Sequence, residues 1–308
     1  MSEAIATASL QFDGQNLLGE GIQWCQRKQR LLWTDILGAT LWSHNPVTGA
    51  TCSWRMPERL ATFALTDDDD RLLLGLASQL AWFNFSDCAI TSICTVEADL
   101  PHTRLNDGRC DRFGRFVFGT KSDAPDIARG CSFYRLNIDL TLEKLALPEV
   151  GISNSICFSP DGHTMYYCDS PSKTIRCCDY DTDGGTISND RLFVSLLEEP
   201  GVPDGSIIDS AGYLWNAQWG GSRVVRYTPD GSIDRVIHVP VTQPSCVAFG
   251  AESLDTLYIT SARESLSAAA LSIELAAGGV FQLHLSDVRG LPEARFGGKR
   301  HSLFTTIL

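Results

Sequence analysis

Five side chains scattered along the chain are of the types that bind a hard cation and grip a polyol. They are Glu20 in LGEGIQW, Arg104 and Asn106 in TRLNDGRCDRFGR, Asn154 in GISNSICFSPDG, and Asp204 in VPDGSIIDSAGYLW. Each falls at the same kind of place, a loop just before a short strand motif that recurs along the chain. Two carboxylates and an amide oxygen suit a hard, oxygen-seeking cation. An Arg fork and a second amide beside them suit hydroxyl and carbonyl oxygens. Alternation in an extended segment would put Arg104 and Asn106 on one side and Leu105 on the other. Gathered at one opening, the set outlines a metal-assisted hydrolase.

Taken singly, each residue also has an ordinary structural explanation. Glu20-Gly21 and Asp204-Gly205 suit turns, Asn154 suits the start of a strand, and Arg104 could pair with a carboxylate of a neighbouring repeat. Asp107-Gly108 reads as a turn rather than as chemistry. The run of four aspartates at 67–70 reads as a solvated turn, because the spaced ligands and central glycine of an EF-hand are missing.

A ring of repeats would bring such distant residues together. Short β-type runs bounded by Asp, Gly, Asn and Pro share one grammar: a turn, an apolar strand, a small or polar stretch, and a second apolar strand. Their central apolar positions are Trp33, Leu73, Phe116, Met165, Leu214 and Leu257, roughly 40 to 50 residues apart. That period, with several strands inside it, marks a propeller blade. Six copies predict an all-β fold, a six-bladed β-propeller with a central divalent-metal site, over residues 1–308 as one domain. Gly75, Gly119 and Ala217 fall where backbones would approach closely. ATASLQFDG, near the start, reads as a strand that completes the last blade and hides its edge. The Ala-rich ESLSAAALSIELAAGG offers one brief helix or a loop inside that blade.

Composition narrows the function. The net charge of −12 disfavours binding to a phosphate backbone, and no basic run points to an anionic membrane. No apolar stretch is long enough to span a bilayer. The 11 cysteines are odd in number and contain no zinc-type CxxC pair, so they read as reduced, mostly buried small hydrophobes. With no secretory pattern at the start, this predicts a cytoplasmic protein. The histidines at 44, 102, 163, 238, 284 and 301 show no metal spacing. There is no GxSxG elbow, P-loop lysine motif or dinucleotide fingerprint. No coiled-coil or exposed apolar helix pattern fixes an oligomeric state.

LGEGIQW, RLNDGRCDRFGRFVFGT, GISNSICFSPDGHTMYYCDS, VPDGSIIDSAGYLWNAQWGGSRVVRYTPDG and the late GGVFQLHL together resemble the gluconolactonase/regucalcin family, also called the senescence marker protein family. The motifs cover nearly the whole chain and stand in family order. The resemblance implies a six-bladed propeller with one divalent cation in its channel, hydrolysing a sugar lactone to its aldonic acid. It places metal ligands on Glu20, Asn154 and Asp204, a general base on Asp204, and substrate contacts on Arg104 and Asn106. One departure stands out. Some animal members carry a substrate-contacting Glu after a GTM sequence, where this chain reads GTKSDAPD. Lys121 replaces the Met and is expected to contact substrate; Asp123 lies near the Glu position without matching it.

Oxygen-only ligands put calcium first, with zinc, magnesium, manganese and iron(II) as alternatives. The expected substrates are L-arabinono-, D-galactono-, D-xylono- and D-glucono-lactones. Competing expectations are a calcium-dependent aryl ester or phosphotriester hydrolase of the same architecture and a non-catalytic calcium-binding propeller.

Overall fold

Runs of Leu, Ile, Val, Phe and Trp interrupted by Asp-Gly and Asn-Pro turns favour short antiparallel strands. The computed structural model, which describes residues 6–124 and 130–297, arranges them as six sheets. Four-stranded meanders over 19–55, 60–95, 103–144, 153–195 and 202–238 form blades 1 to 5. Blade 6 takes three strands from 244–284 and its fourth, outer strand from Ser9–Phe12, antiparallel to Val280–His284. The predicted six-bladed all-β ring is therefore present, and it is closed by the strand expected to close it. A smaller tie was not foreseen: Ala6–Thr7 pairs in parallel with the outer strand of blade 5. The beginning of the chain thus spans the seam between the last two blades.

The first strand of each blade lies innermost and packs against the first strands of its neighbours. Trp33, Leu73, Phe116, Met165, Leu214 and Leu257 all sit on second strands and are fully buried between blades. Their spacing registers the blade repeat because every second strand must bury large apolar side chains between blades. Blade packing also demands absent side chains. A Cβ on Gly119 would lie 2.2 Å from Ser153 Oγ and 2.4 Å from Ser153 Cβ, so blade 3 meets blade 4 across a bare backbone.

The other expectations fall into place around this ring. The predicted helix is Ala268–Ile273, capped by Ser267 and lying within blade 6. Asp67–Asp70 form a turn whose carboxylates pair with Arg27, Lys28 and Arg295. All 11 cysteines are free thiols, most of them buried. No helix of the described residues is long and apolar enough to cross a membrane.

One end of the channel is stoppered. After the last strand the chain crosses that mouth, and Glu293 accepts two hydrogen bonds from Arg109 Nη1, both of 2.7 Å. Leu291, Pro292 and Ala294 pack there beside Cys110, Cys157 and Ile207, leaving a void of about 10 Å³. Phe296 then bridges to Thr66 in blade 2. The opposite mouth, at the starts of the inner strands, is the open one.

The close approach at Gly119 makes a direct prediction. Gly119→Ala forces blade 3 away from Ser153 and should cost about 1–3 kcal/mol of stability, the usual range for overpacking. Urea unfolding would measure it, and an unchanged midpoint would show that the blades have slack at this seam.

Candidate active site

Every inner strand breaks register with its partner once. The breaks lie between Glu20 and Gln23, Leu60 and Thr62, Leu105 and Gly108, Asn154 and Cys157, Pro203 and Ser206, and Pro244 and Val247. A β-bulge turns a side chain out of the regular alternation, and one near the open mouth turns it toward the axis. Glu20, Asn106, Asn154 and Asp204 all sit at these irregularities. The loops expected just before the strands are thus not their location. They lie inside the inner strands Gly19–Cys25, Thr103–Cys110, Ser153–Phe158 and Val202–Ile208, where the ladder fixes the backbone on both sides.

Glu20, Arg104, Asn106, Lys121, Asn154 and Asp204, the six residues singled out from sequence, all line one cavity of about 220 Å³. No histidine or cysteine lines it. Arg104 and Asn106 do share a side, with Leu105 buried in the core beneath.

A chain of hydrogen bonds sets the neutral groups. Arg104 Nη1 donates to Asn106 Oδ1 at 2.9 Å and to the Leu105 carbonyl at 2.7 Å. Asn106 Nδ2 donates to the Ser153 carbonyl at 2.8 Å and to Asn154 Oδ1 at 3.0 Å. Asn154 Nδ2 donates to Ser170 Oγ at 3.0 Å, and Ser170 Oγ donates to the Pro203 carbonyl at 2.7 Å. This network fixes which end of the Asn154 amide is oxygen, and one lone pair of that oxygen remains.

The acidic groups are less comfortable. Burial raises the Glu20 carboxyl well above the usual carboxylate range, and the charge of Asp107 raises it further. Asp204 is raised for the same first reason, then by the charges of Glu20 and Asp107. The Glu20 carboxyl accepts from the Gly21 amide at 3.1 Å, and it stands close enough to Asp204 for the two like charges to repel strongly. Asp107 itself accepts from the amides of Gly108 and Ile156, both at 2.8 Å, yet burial still raises it.

Asp107 is the principal residue that sequence reasoning missed, and the expectation of a turn at Asp107-Gly108 is corrected. The pair lies in the inner strand of blade 3, at its bulge. The available signal was the acid–glycine dipeptide that recurs as Glu20-Gly21, Asp107-Gly108 and Asp204-Gly205. Gly205 earns its place here, since a Cβ would come within 2.8 Å of the Cys246 backbone. Ser170, Trp219 and Glu264 also line the cavity without having been foreseen.

The two positions of the GTKSD stretch divide their labour. Lys121 lines the cavity, half-buried; burial and nearby Arg104 lower its pKa. Asp123 turns away from it. Its Oδ2 accepts from Arg59 at 2.6 Å, and its Oδ1 lies 3.4 Å from Arg104 Nε. Asp123 therefore steadies Arg104 from behind. The last residues of GTKSDAPD, at 125 and 126, lie outside the described residues.

A divalent cation fits the mouth of this channel on donor chemistry. Glu20 and Asp204 are two hard donors whose mutual repulsion a cation would relieve. Asn154 Oδ1 adds a neutral donor already aimed by its partners. Among the described residues no three His, Cys, Asp or Glu side chains are disposed to hold a metal ion. The candidate set is instead mixed, two carboxylates with an amide.

Comparison with known proteins places this geometry. Residues 18–263 match the family model described as the SMP-30/gluconolactonase/LRE-like region. The chain is 53% identical to the L-arabinolactonase of Azospirillum brasilense, over 94% of this chain and 96% of that one. It is 34% identical to the 6-deoxy-6-sulfogluconolactonase of Pseudomonas putida, over 92% and 96%. The crystal structure of a calcium-binding regucalcin from Agrobacterium tumefaciens superposes with a TM-score of 0.89 at 29% identity, covering 95% of this chain and 97% of that one. With its motifs and its ring in agreement, the chain belongs to the SMP-30/gluconolactonase/LRE-like family.

Proposed function

We propose that this protein hydrolyses a sugar aldonolactone to the aldonic acid, with one divalent cation held by Glu20, Asn154 and Asp204. The observation that carries the reading is the convergence of these three donors with Arg104 and Asn106 on one small cavity, in a chain of this family. L-Arabinono-lactone is the first substrate to try, given the 53% identity to an L-arabinolactonase. The cavity also argues size. Its 220 Å³ lies below the span of about 300–1,000 Å³ common for drug-sized ligands, so it favours a single sugar ring over a bulky aryl ester. Oxygen-only donors, and the calcium-binding neighbour in structure, favour calcium.

The chemistry supplied by a bound cation is polarisation of the lactone carbonyl and stabilisation of the negative charge that develops on it. The rest falls to the chain. Asp204 accepts a proton from the attacking water as that water adds to the carbonyl carbon. It returns the proton to the ring oxygen when the C–O bond breaks, so the products are a carboxylate and a free hydroxyl, with the remaining acidic proton lost to solvent. Arg104 has Nη1 fixed by Asn106 and Leu105 and Nε beside Asp123, whereas Nη2 makes no hydrogen bond among the described residues. Nη2 is the group to hold a ring oxygen. Lys121 supplies a second donor, and Asn106 works mainly by fixing Asn154 and Arg104. Preset donors of this kind lower the barrier by orienting the substrate before reaction.

Two predictions test this reading. Asp204→Asn preserves shape but removes both the base and an anionic donor. It should lower lactone turnover at least about 100-fold, and the rise in melting temperature on adding calcium should disappear. Turnover near that of the unaltered enzyme, measured by acid release, would remove Asp204 from the reaction. Arg104→Ala should lower kcat/KM roughly 10- to 100-fold, as expected for a lost charged hydrogen bond, mostly through KM. Cation affinity should change much less, because the Ser153 carbonyl still holds Asn106. Calorimetric titration of the variant with calcium would check this, and outright loss of binding would make Arg104 part of the metal scaffold instead.

A further inference from the structure

The cavity has a further charged group that comes from blade 6, across the ring from blade 3, which carries Arg104. Glu264 enters it from the segment after the Thr256–Ser261 strand of blade 6. The backbone of Glu264 is pinned at both ends: its amide donates to the Leu17 carbonyl at 2.9 Å, and its carbonyl accepts from Gln243 Nε2 at 2.9 Å. Its half-buried carboxylate, by contrast, takes no hydrogen bond and no ion pair among the described residues. It is near enough to raise the affinity of both Arg104 and Lys121 for their protons, yet it contacts neither. The Lys121 ammonium likewise makes no hydrogen bond or ion pair among the described residues. A carboxylate and an ammonium thus look at each other across a gap that neither closes. Trp219 lines the same cavity, packed against Leu18, Ile36 and Ala262, and gives this end an apolar wall.

We propose that Glu264 is the specificity residue of this pocket, accepting hydroxyl protons from the sugar at the end remote from its carbonyl, against the face of Trp219. The inference rests on the lactonase reading for its chemistry, though not for its binding test. A hydroxyl is both donor and acceptor, so vicinal hydroxyls can give a proton to Glu264 while taking one from Lys121. A carbon skeleton without them would leave a desolvated carboxylate unpaired, and sites of this kind reject such analogues strongly. A substituent bearing negative charge would meet like charge there. The ligand class follows: a neutral, polyhydroxylated five- or six-membered ring, in preference to a plain aliphatic lactone or to one with an anionic tail.

The test separates this inference from the lactonase reading by using two readouts. The first is calorimetric affinity for 1,4-anhydroarabinitol, the sugar ring without the lactone carbonyl, which cannot turn over. Glu264→Ala should weaken it roughly 10- to 100-fold with calcium affinity unchanged, and Glu264→Asp should recover part of the loss. The second is kcat/KM on three lactones: L-arabinono-lactone, unsubstituted γ-butyrolactone, and a hexonolactone carrying a C6 sulfonate. Glu264→Ala should depress the first, spare the second, and with Glu264→Gln improve the third relative to the first. Failure of the unaltered protein to bind the anhydropentitol, or equal binding by Glu264→Ala, would overturn the assignment. So would an equal loss on all three lactones, which would mark a merely structural role. Binding as expected with no turnover of any lactone would sink the lactonase reading and leave the hydroxyl site standing.

Discussion

Three buried carboxylates held close together in one channel set the main physical constraint on this molecule. Burial raises the pKa of Glu20, Asp107 and Asp204 alike; the charge of Asp107 raises Glu20 further, and the charges of Glu20 and Asp107 raise Asp204 further. Left to a flexible chain, such groups would move apart into water. Here they cannot, because each is mounted on the inner strand of a different blade and the blades are locked in a ring. The ring is closed by Ser9–Phe12 and stiffened at its seams by bare-backbone contacts such as Gly119 against Ser153. Beneath the cluster, Arg109 supplies positive charge toward Asp107 and is itself clamped by Glu293 of the stopper. The whole β scaffold works to keep anions where a cation can be received.

The neutral side of the site follows a complementary logic. Nearly every hydrogen-bonding atom of Asn106, Asn154 and Ser170 is engaged in one continuous chain that runs from Arg104 to the Pro203 carbonyl. Such a chain leaves little rotational freedom in the groups it joins, so the oxygen offered by Asn154 is preset. The groups left unengaged are therefore informative. They are Oε1 of Glu20, the Asp204 carboxylate, Nη2 of Arg104, the Lys121 ammonium and the Glu264 carboxylate. A site reveals its ligand by what its protein neighbours have not already satisfied.

Much of this architecture is legible in the sequence, for a definable reason. Trp33, Leu73, Phe116, Met165, Leu214 and Leu257 carry the blade period because each is a fully buried position on a second strand, packed in the core between blades, so packing writes the repeat directly into residue type. Five of the six candidate site residues were legible through residue type and family motifs rather than through periodicity, and Lys121 stood out as a departure from the family pattern. Their setting was read less well. Acid–glycine pairs are ambiguous between turns and bulges, since both need backbone freedom and a polar neighbour. That ambiguity moved Glu20 and Asp204 into loops and hid Asp107 altogether. Asp123 could not be placed because its partner, Arg59, comes from blade 2 and nothing local announces the pair. Trp219 and Glu264 were not singled out because Trp219 ends a blade 5 strand that was read for its repeat, and Glu264 follows the blade 6 strand with nothing local to show that it faces the channel. The stopper at 291–296 has neither strand pattern nor repeat, and only the ring shows what it closes.

The distribution of charge also bears on how substrate enters and product leaves. A sugar lactone is neutral and its product is an anion at neutral pH, so hydrolysis creates a negative charge within a few bonds of Glu20 and Asp204. Lys121 and Arg104 offset that charge on one wall of the cavity, but Glu264 faces it from the other, and the protein around it carries a net charge of −12. Substrate therefore approaches without electrostatic penalty, whereas the product leaves down a potential that grows less negative with distance from the surface. The acidity that disfavours nucleic acid thus has a second consequence at the channel mouth. A pocket built on anions tolerates the lactone and disfavours the acid it becomes, with the cation and the two basic side chains moderating that repulsion enough for the transition state to form.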